Sequence, residues 1–350
     1  MQPVLFFDGH NDALLRLSES QSPDPQLLFL NGRPDGHIDL PRAREGKMVG
    51  GIFALYAPSK TGLDFNIFKG RSYDCPLPPE VPLADANRIM MRQIAILLRT
   101  IAASEGTVAL CKTVADIRQA RERGAFSIVL HMEGAEAIDA DLDMLDVLHA
   151  AGLRSIGPVW SRTNFFGHGV PMRFPSSPDT GPGLTDAGKR LVHACNELRI
   201  MIDLSHLTER GFWDVARLTK APLVATHSNV HELSPSSRNL TRRQLDAIRD
   251  SDGVVGLNLA TCFLRPDGQM DEDTSLEIVV QHVETLLESL GETGVAIGSD
   301  FDGAVVPKEI GSVAGSQAIF SALRAKGFDE GLIEKIAVSN WLRVLQQTIG

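Results

Sequence analysis

Eight short apolar runs distributed along the whole chain constrain the fold more than any other feature of the sequence. Most of them are rich in Val and Ile and almost continuously hydrophobic, which is typical of parallel strands buried on both faces. The runs cover residues 4–8, 49–56, 126–132, 155–160, 200–205, 223–226, 254–259 and 295–299.

Helical patterns lie between most of these runs. They cover residues 83–104, 114–123, 141–151, 185–198, 208–218, 241–250 and 274–290, and two further helices, 316–326 and 330–348, follow the eighth run. Three stretches rich in Gly and Pro, at 20–41, 57–82 and 165–182, are predicted to be irregular loops.

The repeated alternation of strand and helix predicts a (β/α)8 TIM barrel formed by residues 1–350 as a single domain. A doubly wound open sheet is the alternative α/β architecture, but it normally has fewer strands. No GxGxxG follows the first run and no GxxxxGKS/T occurs anywhere, so the glycine-rich phosphate loops of nucleotide-binding sheets are missing.

The composition excludes several classes of protein. With 43% hydrophobic and 22% charged residues, the chain can bury a large core, and a formal net charge of −10 argues against nucleic-acid binding. No apolar stretch is long enough to span a membrane and the N-terminus lacks the features of a secretion signal, so a complete, cytoplasmic chain is expected. The cysteines are scattered without a CxxC pair and are expected to be free, buried thiols: Cys75, Cys111, Cys195 and Cys262.

Residues that bind metal follow five of the predicted strands. Parallel strands of a closed barrel bring their C-terminal ends to one face, so residues from opposite ends of the sequence can share one site there. The five segments are DGHND at 8–12, HMEG at 131–134, DLSH at 203–206, ATHS at 225–228 and GSDFDG at 298–303.

The first two segments suit a metal site. His10 and Asp12 lie at positions i and i+2 of an extended strand, so their side chains point to the same side and can reach a common Zn²⁺ ion. Glu133 ends a buried strand, where a carboxylate is costly unless it is paired or metal-bound, and its two oxygens can bridge two cations. His131 is either a competing ligand or a packed histidine.

The other three segments complete the predicted site. His206 and His227 end neighbouring strands, so their imidazoles can meet at one ion. Asp300 can take a proton from a metal-bound water and return it to a leaving amine, although Asp302 lies on the same side and is an alternative. Asp8 is expected to be a structural hydrogen-bond acceptor. No GxSxG elbow indicates a serine nucleophile.

Taken together, these motifs resemble those of the membrane (renal) dipeptidase family, zinc metallopeptidases of the amidohydrolase-type barrels, and the likeness is to a soluble bacterial-type member. The initial H-x-D separates the chain from relatives that begin H-x-H and use a carbamylated lysine as bridge. The resemblance is carried by DGHND at 8–12, EG at 133–134, GLT at 183–185, IDLSH at 202–206, THSN at 226–229, SRNL at 237–240 and GSDFDG at 298–303.

The resemblance implies a role for each site residue. Two Zn²⁺ ions per chain would be bound, the first by His10 and Asp12, the second by His206 and His227, with Glu133 as the bridging, catalytic carboxylate. Asp300 would be the proton shuttle. Arg238, with its neighbour Asn239, would hold the free carboxylate of a dipeptide, since a guanidinium grips a carboxylate with two parallel hydrogen bonds.

One departure from the family concerns the scissile carbonyl oxygen. Many members hold this oxygen with a histidine after the fourth strand, but Trp160 lies near that point here. His168, Asn164 and Arg162 are the alternatives, and His168 is the one predicted to contact the substrate.

The expected function is therefore that of a zinc-dependent dipeptidase. A metal-bridging hydroxide would cleave small dipeptides, including L-Xaa-D-Xaa, without a nucleic-acid or membrane partner. The same site could instead hydrolyse another amide, a lactone or a β-lactam, because a fold does not determine a substrate. A metal-binding protein without catalysis is a third hypothesis. Homodimers are usual in the family, but the sequence shows no interface signal.

Overall fold

The computed structural model describes residues 2–60 and 65–350. Each of the eight predicted apolar runs contains a strand, and several shorter strands were not predicted. The strands are β1 (Phe6–Asn11), β2 (Met48–Tyr56), β3 (Tyr73–Asp74), β4 (Val108–Leu110), β5 (Phe126–Glu133), β6 (Leu153–Gly157), β7 (Thr163–Asn164), β8 (Gly167–His168), β9 (Arg173–Phe174), β10 (Met201–Ile202), β11 (Val224–Ser228), β12 (Val254–Leu257) and β13 (Val295–Ile297).

Helices connect the longer strands. They are α1 (Ala13–Glu19), α2 (Pro25–Asn31), α3 (Leu40–Gly46), α4 (Leu83–Ala103), α5 (Val114–Glu122), α6 (Asp143–Ala151), α7 (Asp186–Leu198), α8 (Glu209–Leu218), α9 (Arg242–Asp250), α10 (Thr261–Leu264), α11 (Leu276–Leu290), α12 (Gln317–Ala325), α13 (Glu330–Glu334) and α14 (Asn340–Thr348). None of the helices in the described residues is long and apolar enough to cross a membrane.

Hydroxyl side chains begin several of these helices where the sequence predicts them. The Thr185 hydroxyl accepts a hydrogen bond from the Gly188 N–H, and the Thr208 hydroxyl accepts one from the Gly211 N–H. Each contact satisfies an N–H group that has no partner within the helix.

One loop prediction and one helix prediction are corrected. The stretch predicted as a loop at 20–41 contains α2. Pro25 occupies the first turn of this helix, where the backbone N–H that proline lacks would have no helical partner and the fixed φ of proline suits a helix. The final predicted helix, 330–348, is divided by a wider π turn at Lys335–Ser339. Residues 61–64 of the loop predicted at 57–82 lie outside the described residues.

The fold is α/β, and its curled parallel sheet fits a TIM-like barrel. β1, β2, β5, β6 and β10 are paired in this order, and β11, β12 and β13 form a second parallel set. Two isolated parallel bridges join the sets, one between Asp203 and Val224 and one between Asn11 and Phe301. All eight strands therefore point their carboxyl ends toward one face.

A buried apolar layer lies beneath that face. It takes one side chain from each of seven strands and packs them against α14: Phe7, Ile52, Val129, Met201, Val224, Val254 and Ala296, with Trp341, Val344 and Leu345. The Trp341 side chain is fully buried, and its Nε1–H donates to the Ile297 carbonyl at 2.8 Å. A Cβ at Gly9 would lie 2.1 Å from the Trp341 ring, so the indole requires glycine there.

Replacing Trp341 tests how far this layer supports the fold. Trp341→Ala is expected to lower the free energy of unfolding by about 3–5 kcal/mol, because it leaves a cavity where the strands converge. Trp341→Phe keeps a ring but loses the hydrogen bond, so a smaller loss of about 1–2 kcal/mol is expected. Urea denaturation measures both. Unchanged stability of Trp341→Ala would contradict the role of the indole.

Candidate metal centre

The strand ends bring the predicted metal ligands together. His10 lies in β1 and is followed by Asp12, Glu133 is the last residue of β5, and His227 lies in β11. His206 follows β10. All five side chains are buried, and the four strands that carry or precede them end at one face.

Glu133 is at the centre of this cluster. Its Oε1 lies 3.0 Å from His206 Nε2, 3.5 Å from His227 Nε2 and 3.7 Å from His10 Nε2. The His10 Nε2 is in turn 3.6 Å from Asp12 Oδ2. Two ligand atoms that share a tetrahedral zinc at about 2.1 Å lie roughly 3.4 Å apart, so the spacing suits such a cation.

The hydrogen bonding of His10 also fits a metal ligand. Both ring nitrogens of this imidazole are buried, and neither has a hydrogen-bond partner among the described residues. Buried polar atoms are nearly always paired, so a bare nitrogen facing two carboxylates indicates a cation as its partner. Donor atoms of His10, Glu133 and His227 all lie within 4.8 Å of one another, as do those of His10, Asp12 and Asp300.

The electrostatics of the cluster call for added positive charge. Burial raises the pKa of Glu133 and of Asp300, and nearby carboxylates raise both further. Burial opposes protonation of His10, yet Glu133, Asp12 and Asp300 outweigh it and raise its pKa to about 10, so a proton and a metal ion compete for this ring. Burial and neighbouring cations lower the pKa of His206 and of His227, which keeps both imidazoles neutral, as metal ligands must be.

A hydroxyl fixes the tautomer of His227. The Thr226 Oγ1 lies 2.6 Å from Asp203 Oδ2 and 2.8 Å from His227 Nδ1. Because a carboxylate can only accept, the hydroxyl proton goes to Asp203 and the oxygen accepts from Nδ1–H. The Nε2 lone pair of His227 therefore faces Glu133. Ser161 Oγ contacts His206 Nδ1 at 2.9 Å and can hold that ring in the same way.

His131 and Asp8 lie behind the cluster. His131 Nδ1 is 2.8 Å from Ser155 Oγ, and its Nε2 is 3.7 Å from Asp203 Oδ2. Its ring meets the His10 ring edge-on, with centroids 5.4 Å apart. Asp8 accepts hydrogen bonds from the backbone N–H and the hydroxyl of Ser299.

The two carboxylates after β13 have different surroundings. Asp300 faces the cavity beside the cluster, and its Oδ2 accepts from Asn258 Nδ2 at 2.9 Å. The Asp302 carboxylate also borders the cavity, but it accepts from the His37 N–H at 2.7 Å and from Arg33 Nη1 at 3.3 Å. The Asp300 carboxylate therefore accepts fewer hydrogen bonds from the described residues than the Asp302 carboxylate does.

The predicted substrate-binding residues are only partly assembled. Arg238 is buried near the cluster and is not among the described residues that line the cavity; its Nη2 donates to the His227 carbonyl at 3.2 Å, and no described residue accepts from its Nε. Asn239 instead donates to the backbone oxygens of Ser234 and Phe263, and these bonds hold the loop between β11 and α9. His168 pairs with Thr163 in the β7–β8 hairpin and is not among the described residues that line the cavity.

The alternatives to His168 are also engaged elsewhere. The Arg162 guanidinium is fully buried and donates to Glu136 Oε1 at 2.7 Å and to the Ala57 carbonyl at 2.7 Å. The Asn164 amide group donates to the Pro158 carbonyl at 2.9 Å. Neither side chain belongs to the described lining of the cavity.

The cavity over the cluster combines a polar floor with apolar walls. The floor is Asp12, Glu133, His206 and Asp300, and the walls include Leu15, Tyr56, Phe68, Trp160, Phe263 and Met270. The sequence analysis did not predict two residues of the site: Tyr56, which lines the cavity, and Asn258, which donates to Asp300. Both follow or end an apolar strand, so the strand-end rule that found the histidines could have found them too.

The fold and the site define a metal-dependent hydrolase of the amidohydrolase type. The sequence pattern of the membrane dipeptidase family (peptidase family M19) matches residues 1–349, and the chain belongs to that family.

Solved and curated relatives agree with this membership. A metallo peptidase from Rhodobacter sphaeroides, solved with a phosphinate mimic of the dipeptide L-Ala-D-Ala, is 49% identical with a TM-score of 0.97; the match covers 99% of this chain and all (100%) of that chain. Dipeptidase AC, a metallo peptidase of family M19, is also 49% identical with a TM-score of 0.97, over 100% of both chains. A Klebsiella pneumoniae protein, described as uncharacterized and in the pqqA 5' region, is 50% identical over 74% of this chain and 95% of its own length.

The role of the Thr226 hydroxyl can be tested through metal affinity. Thr226→Val preserves shape but removes the acceptor for His227 Nδ1–H, so zinc affinity is expected to fall roughly tenfold to a hundredfold. Thr226→Ser keeps the hydroxyl and should restore most of the affinity. Competition with a chromophoric chelator measures both variants, and equal affinity of Thr226→Val and wild type would refute the tautomer argument.

Proposed function

We propose that the protein is a zinc-dependent dipeptidase that hydrolyses the peptide bond of dipeptides, including L-Xaa-D-Xaa. The observation that carries this proposal is the Glu133 carboxylate, surrounded by three imidazole Nε2 atoms within 3.7 Å. The bound dipeptide mimic in the Rhodobacter sphaeroides relative supports the substrate class.

The residues present fit two zinc ions. His10 and Asp12 would hold one ion and His206 and His227 the other, with Glu133 as the carboxylate common to both. These are the nitrogen and oxygen donors that zinc prefers. When bound, zinc polarises the amide carbonyl and supplies a hydroxide nucleophile at neutral pH.

Asp300 moves the proton in this mechanism. Its carboxylate borders the cavity, and the hydrogen bond from Asn258 to Oδ2 orients it while leaving Oδ1 available. Asp300 takes the proton released as water attacks the carbonyl carbon. It then delivers that proton to the nitrogen of the leaving amine, which cannot depart as an anion.

Arg238 limits the substrate to short peptides. Burial lowers the pKa of its guanidinium, and the carboxylates of Asp300 and Glu133 counteract this, so it remains a cation. Its unpaired Nε–H is available to the free carboxylate of a dipeptide. A longer peptide would present an uncharged amide at the same point and leave the buried cation unpaired.

The architecture belongs to the same proposal. We infer that residues 1–350 form a single domain and that its parallel strands β1, β2, β5, β6, β10, β11, β12 and β13 close into a barrel. The two bridges at Asp203–Val224 and Asn11–Phe301 support closure, because they link the strand sets on both sides.

The first experiment is hydrolysis of a panel of L-Xaa-L-Xaa and L-Xaa-D-Xaa dipeptides, with zinc content determined on the same sample. Turnover with about two zinc ions per chain would support the proposal, since two such ions form a common hydrolytic centre. Retained zinc without dipeptide turnover would overturn it. Amides, lactones and β-lactams with and without a free carboxylate would then separate another hydrolase from a protein that only binds metal.

Replacing Asp300 separates proton transfer from metal binding. Asp300→Asn is expected to keep its zinc and to lose kcat by roughly a hundredfold to ten-thousandfold, because an amide cannot accept the proton. Asp302→Asn is the comparison, since its carboxylate accepts from Arg33 and His37 and is expected to leave proton transfer intact. A loss of kcat confined to Asp302→Asn would reverse the assignment.

Replacing Arg238 tests recognition of the carboxylate. Arg238→Lys keeps the charge but loses the planar pair of donors, so kcat/KM for a dipeptide should fall roughly tenfold to a hundredfold, mainly through KM. The same dipeptide with a C-terminal amide should be a poor substrate for both proteins, with little difference between them. An equal loss on the acid and the amide would contradict this role.

A further inference from the structure

Amide hydrolysis places negative charge on the scissile carbonyl oxygen, and fixed hydrogen-bond donors stabilise that charge. Few described residues that line the cavity carry a nitrogen or oxygen donor in the side chain: Arg16, Tyr56, Ser59, Trp160 and His206. His206 is a metal ligand, Arg16 Nε donates to the Asp302 carbonyl, and Ser59 Oγ is paired with Arg162 Nη1. Tyr56 and Trp160 remain.

Of these two, Tyr56 is the one in register with the metal cluster. It is the last residue of β2, and its Cα pairs with that of Glu133, the last residue of the neighbouring parallel strand β5. Residues paired in this way project to the same side of a sheet. The Tyr56 ring therefore stands beside the central carboxylate and borders the cavity.

The surroundings of Tyr56 hold it rigidly. The buried Gln93 side chain accepts from the Tyr56 N–H at 3.0 Å and donates to the Tyr56 carbonyl at 2.7 Å. The Tyr56 ring packs against Trp160, with centroids 5.1 Å apart, and the Arg162 Cζ lies 5.3 Å from its centroid. A donor fixed before the reaction needs no reorganisation as charge develops.

The proton of the Tyr56 hydroxyl remains free to be donated. The Arg162 guanidinium lies near the phenol, but it donates to Glu136, Ser59 and Ala57. The Tyr56 hydroxyl donates to no acceptor among the described residues. Its O–H can therefore be directed to an oxygen atom in the cavity.

We propose that Tyr56 is the oxyanion-binding residue, whose hydroxyl donates a hydrogen bond to the scissile carbonyl oxygen as the tetrahedral intermediate forms. This role rests on the proposed dipeptidase function. It fills the place for which the sequence suggested His168, Asn164 or Arg162, none of which borders the cavity in the described structure.

Tyr56→Phe tests this role, because it removes the hydroxyl and keeps the ring. The expected result is a fall in kcat of roughly a hundredfold to a thousandfold, with KM and zinc content unchanged. The chain has two tyrosines, and Tyr73→Phe is the matched control. The Tyr73 hydroxyl is buried, has no partner among the described residues and does not border the cavity, so its removal should leave kcat unchanged.

A tetrahedral ligand provides a readout that does not need turnover. A phosphinate mimic of L-Ala-D-Ala should bind Tyr56→Phe more weakly by about the same factor as kcat/KM falls. In protein labelled with 3-fluorotyrosine, the two ¹⁹F resonances can be assigned with the two variants. Addition of the phosphinate should shift the Tyr56 resonance and leave the Tyr73 resonance in place.

Two results would overturn the role of Tyr56. One is a Tyr56→Phe enzyme with wild-type kcat; the other is a Tyr56 ¹⁹F resonance that does not move when the phosphinate binds. A failure of the wild-type enzyme on every dipeptide is a different result. It would overturn the proposed function, while the fluorine experiment would still report whether Tyr56 contacts the tetrahedral group.

Discussion

The burial of the Glu133 carboxylate among imidazoles is the interaction on which the rest of the site depends. A carboxylate excluded from water is strongly unfavourable unless nearby groups compensate its charge. Three strands, β1, β10 and β11, bring imidazole nitrogens to Glu133, but Asp12 and Asp300 add further negative charge. The cluster therefore needs cations that the chain does not itself supply in sufficient number. The Thr226 hydroxyl orients the His227 imidazole, and the Arg238 guanidinium contributes positive charge beside Glu133.

Much of the fold could be predicted, because the eight strands of the two parallel sets are buried and appear in the sequence as apolar runs. The metal ligands could be predicted for the same reason, since a charged residue at the end of such a run is unusual. Tyr56 and Asn258 were missed because an aromatic or an amide in that position is an ordinary core or turn residue. The placement of Asn239 and His168 depends on which backbone groups they meet after folding, and no local pattern encodes this. Pro25 was treated as a helix breaker although it begins α2.

The turns that follow the strands add a local constraint. His206, Asp300 and Asp302 have φ values of 69°, 59° and 68°, in the left-handed region that side chains with a Cβ rarely adopt. Each conformation costs of the order of 1–2 kcal/mol. These three residues lie after β10 and β13, where the chain turns toward the cluster; five other residues with a Cβ have positive φ elsewhere in the described chain. Such strain persists only because the packed layer around Trp341 and the hydrogen bonds of Asp8 hold the surrounding backbone.

The pairing of β1 with the segment after β13 has a consequence for biosynthesis. Asn11 contacts Phe301, and the Asp8 carboxylate receives both hydrogen bonds from Ser299, so these partners, 291 residues apart for Asp8 and Ser299, are synthesised at very different times. Trp341, which fills the space under Gly9, emerges from the ribosome later still. All five proposed metal ligands precede residue 228, yet the contacts that hold β1 come from residues 299–301 and from Trp341. A chain that stops between these points would carry every ligand without the contacts that hold His10 in place.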